Sequence, residues 1–368
     1  MNSIAHKYFF MGSIYRSVYH HHLTKLSTRF TMKHYARYCL CILFLSACAK
    51  DIPVYNTTDQ TYSIFLSDSA GKIARVTMPE NRIADAHYYF SVNKEEINGA
   101  VEWMKEFRDN IYIGIPSRYL ILVVNKYSFK KIGQFDFSSS RLLPSDIAFV
   151  NATNAYVAHE NDSTLSLIDL FSLSVARTVA CGKNPTAVTA IEQQVFAACR
   201  GDNTIRRLDA RTNTVTATYS TPPSPILLTT IRDENLSASN RRLLLVCNGD
   251  ENVTASVSLM DINGTFTGTQ NITQTATKEK PRAVAVTTTD FAFIATQTSI
   301  WRYDIRKPDI PRRISPSAAE DIYYNLRRNE LIIQRTPTLI QIAQSNDTKI
   351  ISSINTTSPV RALIEIND

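Results

Sequence analysis

Glycine is scarce in this chain: 10 of 368 residues, about 2.7% against the roughly 7% of ordinary proteins. No two glycines stand in a G-x-G arrangement, so the phosphate-cradling loops of dinucleotide-binding and P-loop folds are excluded. Histidine is scarcer still, since only His87 and His159 lie beyond residue 48. Two histidines cannot build a multi-histidine metal site, and no H-E-x-x-H, G-x-S-x-G, C-x-x-C-H or EF-hand pattern occurs. No cofactor and no metal site is expected from this inventory. Acid is missing from the first 47 residues, which hold six Lys or Arg. The remainder has 34 basic residues against 33 acidic, so the net charge of +7 belongs almost wholly to the leader. Nucleic-acid binding needs a basic patch for counterion release, and the near-neutral body supplies none, so no nucleic-acid partner is expected.

The leader is an address. From Met32 the sequence reads MKHYARYCLCILFLSACAK: basic residues, a short apolar run from Tyr38 to Leu45, then small residues, the order of a secretory signal. The run is well short of the roughly 20 residues that a membrane-spanning helix needs. Leu45, Ser46, Ala47 and Cys48 resemble a bacterial lipobox. That resemblance implies cleavage before Cys48, lipid on Cys48, and a protein held on a membrane of the bacterial envelope, with the outer membrane as the expected site. Ala49-Lys50-Asp51 is similar to the export tags of surface lipoproteins in one Gram-negative phylum. Residues 1–31 then read as an upstream extension, 32–47 as the signal peptide, 48–61 as a tether and 62–368 as the folded domain.

An internal repeat decides the fold. Leu167-Ile168-Asp169, Arg207-Leu208-Asp209, Leu259-Met260-Asp261 and Arg302-Tyr303-Asp304 end equivalent strands at spacings of 40, 52 and 43. Pro144, Pro185, Pro225, Pro281 and Pro359 keep the same beat at the unit starts. A proline at the first residue of a strand gives up no ladder bond and fixes the entry. Within a unit the strands are short, as in Asp146–Val150, Ala155–Ala158, Leu165–Asp169 and Val175–Ala180, and several are continuously apolar. Four short antiparallel strands per unit, covered on both faces, are what a β-propeller blade requires. Inner strands starting near 98, 144, 186, 225, 281, 320 and 359 make seven blades. The last has no partners after it, while residues 62–90 supply about three strands with no inner strand before them. The expected fold is therefore all-β, a seven-bladed propeller closed by the C-terminal strand joining the N-terminal blade, which removes exposed edges.

The wording of the units at 144–184 and 185–223 resembles the YVTN-type repeat of bacterial surface and periplasmic propellers: Pro, apolar strand, Tyr156-Val157-Ala158, strand-Asp, then Val179-x-Gly-like and Asn184-Pro185. The resemblance implies an envelope lipoprotein acting as a binding or scaffold ring, monomeric, with nutrient capture beside an outer-membrane transporter as one form of that role. The alternative it carries is a metal-assisted, lactonase-like hydrolase. The turns between second and third strands lie on one face around the channel mouth, a concave place to which every unit contributes. Among them His159, Arg200, Glu251 and Arg335 are the side chains least required by turn geometry, so they are the expected ligand-binding residues. Trp103 and Trp301 read as core. Cys199 and Cys247 occupy the same position in neighbouring units, where spacing alone leaves open a bridge or two buried fillers.

Overall fold

Four of the five opening prolines begin an inner strand, Pro144–Phe149, Pro185–Ile191, Pro225–Ile231 and Pro281–Val286, and Pro359 directly precedes Val360–Asn367. The absent N–H is no loss at that place, and the carbonyl is put to use. Trp103 Nε1 donates to Pro144 O at 3.0 Å, Ser145 Oγ to Pro185 O at 3.1 Å and Thr186 Oγ1 to Pro225 O at 3.0 Å. Each donor belongs to the preceding unit, so the punctuation of the repeat also staples one blade to the next. Trp103 reaches its acceptor by lying over Gly114, where a Cβ would come within 2.0 Å of the indole.

The computed structural model describes residues 61–231, 241–272, 279–287, 290–325, 328–345 and 348–367. Cys48, the signal segment 32–47, the extension 1–31 and nearly all of the tether lie outside the described residues. Seven sheets of four antiparallel strands are present, each in simple order from inner to outer strand. Blade 3, for example, consists of Pro144–Phe149, Asn154–His159, Thr164–Asp169 and Ser174–Ala180. Blade 1 is built from both ends of the domain. Its inner strand Val360–Asn367 pairs antiparallel with Tyr62–Asp68, Tyr62 facing Asn367 and Ser67 facing Ala362. Ile73–Met78 and Arg82–Asp85 complete it. The protein is a seven-bladed β-propeller, closed as the repeat count requires.

Two boundaries differ from the sequence reading. The inner strand of blade 2 is Trp103–Phe107 rather than one starting near 98, and a short helix, Tyr88–Asn93, precedes it. That helix buries Tyr89, whose hydroxyl donates to Glu95 Oε1 at 2.5 Å, and it ends at Lys94 in the left-handed region. In blade 7 residues 334–336 are not a turn but the end of the strand Glu330–Thr336.

The second strands are buried along their length, for instance Ala155–His159, Val195–Cys199 and Leu243–Cys247, because a neighbouring sheet covers each face. The apolar side chains gather into seven clusters between adjacent blades. Between blades 3 and 4 the cluster holds Tyr156, Ala158, Leu165, Val195, Ala197 and Leu208. Fully burying one large aliphatic or aromatic side chain is worth about 1.5–3 kcal/mol, so these interfaces hold the ring. The shortage of glycine is met in part by asparagine: Asn81, Asn98, Asn184, Asn203, Asn213 and Asn329 all take positive φ, which Asn tolerates better than most residues.

Candidate functional site

Antiparallel order places the turns between second and third strands on the same face as the connections between blades. On that face the two sets of loops bind one another. The Asn161 side chain donates to Arg141 O at 2.8 Å and accepts from Leu143 N at 2.8 Å. Asn184 Nδ2 donates to Glu160 O at 2.7 Å, while Arg200 N donates to Asn184 O at 3.0 Å. Asn203 Oδ1 accepts from Ser224 N at 2.8 Å, and Asn248 N donates to Ser224 O at 2.8 Å. A continuous belt of turn and connector thus runs across blades 3, 4 and 5. The asparagines that make it serve backbone, leaving the charged neighbours to face outward.

The four expected ligand residues separate into two pairs. Arg200 and Glu251 are exposed on this belt. Arg200 approaches Glu160 at 3.8 Å, both side chains being nearly half exposed, so the pair is loose and costs little to part. The other two are corrections. His159 is not a solvated turn residue but the last, fully buried residue of Asn154–His159. Its Nε2 bonds Ser166 Oγ at 2.8 Å and its ring meets Phe137 edge-on at 5.0 Å. Burial pushes its pKa down to about 4, against which the Leu143 carbonyl and Asp162 pull only weakly, so the ring is neutral near pH 7. Arg335 is half-buried: its Nε donates to Gln341 Oε1 at 2.9 Å and its Nη1 to Ser317 O at 3.0 Å. Desolvation lowers its pKa, and its guanidinium is committed to holding the blade 6 to 7 connector.

The reason is register. Pro144 faces His159, Pro185 faces Cys199, Pro225 faces Cys247 and Pro281 faces Thr296. Asp321 faces Gln334 as Asp146 faces Ala158, which puts Arg335 at the same place as His159. This position closes the second strand in blades 3 to 6, stands one residue before its end in blade 7, and points into the blade interface. The apolar or small occupants in blades 4 to 6 are the signal that identifies it.

The inner strands add polar groups that the sequence reading passed over. Asp146 pairs with Lys105 Nζ of blade 2, accepts Ile147 N at 2.8 Å and takes Val188 N of blade 4 at 2.9 Å, so one carboxylate joins three blades. Asp321, its counterpart in blade 7, accepts Ile322 N at 2.8 Å, and desolvation pushes its pKa up to about 6. Arg282 pairs with Glu320 between blades 6 and 7. On the belt, desolvation raises Asp202, but hydrogen bonds from Thr204 and Arg206 outweigh it and hold the carboxyl below its ordinary range. Among the described residues no group of three or more His, Cys, Asp or Glu is placed to hold a metal ion.

These features define a closed propeller with a belt of hydrogen-bonded turns and connectors on one face. No family model matches the chain, and no curated protein sequence matches it. Among solved structures it is similar to Kuenenia stuttgartiensis hydrazine synthase, at 12% identity and a TM-score of 0.62, over 73% of this chain and 95% of that one. At that identity the likeness shows the fold alone.

Proposed function

We propose that the chain is a lipid-anchored protein of the bacterial envelope whose ring binds a polar ligand or a partner protein through the belt on blades 3 to 5, without chemistry of its own. Capture of a nutrient for a neighbouring outer-membrane transporter is the form of this role that the YVTN-type wording favours. The observation that carries the reading is the direction of Tyr62–Asp68. This strand runs toward its turn at 68–72 on the belt face, so the preceding chain joins the ring at the opposite face. A lipid on Cys48, 14 residues upstream, would be tethered by up to about 50 Å of chain, a reach long enough to leave the face carrying Arg200 and Glu251 open to a ligand. For the hydrolase alternative, no group of three or more His, Cys, Asp or Glu is gathered among the described residues.

Two experiments test this. Cys48→Ala is expected to move the protein from the detergent phase to the aqueous phase, because two acyl chains anchor stably and none does not. A variant that stays with the membrane and is still cut after Ala47 would refute the anchor. For any compound that raises the melting temperature of the intact chain, Arg200→Ala and Glu251→Ala should each weaken binding about tenfold, the worth of one charged hydrogen bond. Phe171→Ser, on the opposite face and 91% exposed, should leave affinity unchanged. The reverse pattern would place the site on the other face.

A further inference from the structure

Cys181 follows the outer strand of blade 3, in the connector to blade 4, and Cys199 ends the second strand of blade 4. Their sulfurs lie 3.7 Å apart, whereas Cys199 and Cys247, for which spacing left open a bridge or two buried fillers, are both buried and free. Cys247 occupies the equivalent register in blade 5, where burial pushes its thiol up to about 12. The connector is fastened above Cys199 by Cys181 N donating to Ser163 O at 2.8 Å. Gly182 makes the approach possible, since a Cβ there would stand 2.8 Å from Cys199 Sγ and 2.9 Å from Asp202 Oδ2. A covalent bond needs the sulfurs at about 2.05 Å, a closure of under 2 Å to be shared between two side-chain rotations.

The two thiols are unlike. Cys181 is half-buried, and Cys199 is completely buried. The hydrogen bond between the two sulfurs holds the Cys181 thiol below its ordinary range, with Gly182 N–H and Arg206 helping against burial. The same bond, together with burial, pushes Cys199 upward. A more accessible sulfur 3.7 Å from a completely buried one is the arrangement of an attacking and a resolving thiol.

We propose that Cys181 and Cys199 form a reversible disulfide by exchange with an external disulfide, Cys181 attacking and Cys199 resolving. In the first step the Cys181 thiolate bonds to one sulfur of the donor and the other sulfur leaves as thiolate. In the second, Cys199 gives up its proton and attacks Cys181 Sγ, expelling the remaining donor thiolate. The protein loses two electrons and two protons, and the donor disulfide becomes two thiols. The bond closes a loop of 19 residues and ties the blade 3 to 4 connector beneath the turn that carries Arg200. It does not depend on the lipid anchor or on any ligand.

The test is to incubate the reduced full-length chain with oxidised glutathione and map tryptic peptides without reduction. Thr178–Lys183 should be found joined to Asn184–Arg200, two hydrogens lighter than the separate peptides, and the melting temperature should rise by about 5 °C. Cys199→Ser should trap glutathione on Cys181, whereas Cys181→Ser should leave Cys199 unmodified in the folded protein. Peptides that stay separate under native oxidation would overturn the proposal. So would a link from Cys199 to Cys247, or an adduct on Cys199 in the Cys181→Ser variant.

Discussion

A chain lacking residues 359–368 is expected to be insoluble or to melt without cooperativity. The deletion removes Val360, Ala362, Leu363, Ile364 and Ile366, all buried, and with them part of the clusters on both sides of blade 1. Four large apolar side chains at about 1.5–3 kcal/mol each come to roughly the whole stability of an ordinary domain. The ladder bonds to Tyr62–Asp68 are lost as well, leaving an open edge ready to pair with other chains. Adding the peptide 359–368 in trans should restore a soluble, cooperatively melting ring. Soluble protein with an unchanged melting curve after the deletion would contradict closure as the source of stability.

Below pH 6.5 the ring is expected to lose stability that a His159→Asn variant keeps. Burial holds the folded pKa at about 4 against an ordinary 6.5. A depressed histidine pKa means that the unfolded chain takes the proton first. The stability is therefore whole above pH 6.5, falls as the pH drops, and is fully lost below about 4. Between pH 7 and 4.5 the linkage comes to about 2–3 kcal/mol. Urea unfolding of both proteins at the two pH values isolates this term from carboxylate effects common to both. Equal losses in wild type and variant would show that His159 charges readily in the folded ring.

The blades were legible because a propeller repeats the same physical demands about every 43 residues. In blades 3 to 6 a proline opens the inner strand, an Asp caps the turn after the third, and the second is apolar on both faces. Where a unit does not spell these out, as around the Tyr88–Asn93 helix, the beat continued but the boundary slipped to Trp103. The site was less legible, and His159 shows why. A polar residue ahead of Glu160-Asn161-Asp162 reads as part of the turn, yet the strand runs one residue further and carries the ring into the interface against Phe137 and Ser166. Comparing positions across units recovers it, because Cys199 and Cys247 mark the same slot as interior. Arg200 and Glu251 lie beyond that slot and remain on the surface. Lys105, Asp146 and Asp321 escaped notice because channel polarity depends on which blades become neighbours.

The pairing of Tyr62 with Asn367 also sets a clock. At roughly 5–20 residues per second, the partner of the first strand leaves the ribosome about 15–60 s after that strand does. Blades 2 to 7 can fold in order of emergence, each against the one before. The first strand of the ring must wait for the last, with one backbone edge and the apolar residues Ile64 and Leu66 short of their inner partner. Tyr62–Asp68 thus gains Ile73–Met78 on one edge at once and its inner partner on the other only when the chain is complete.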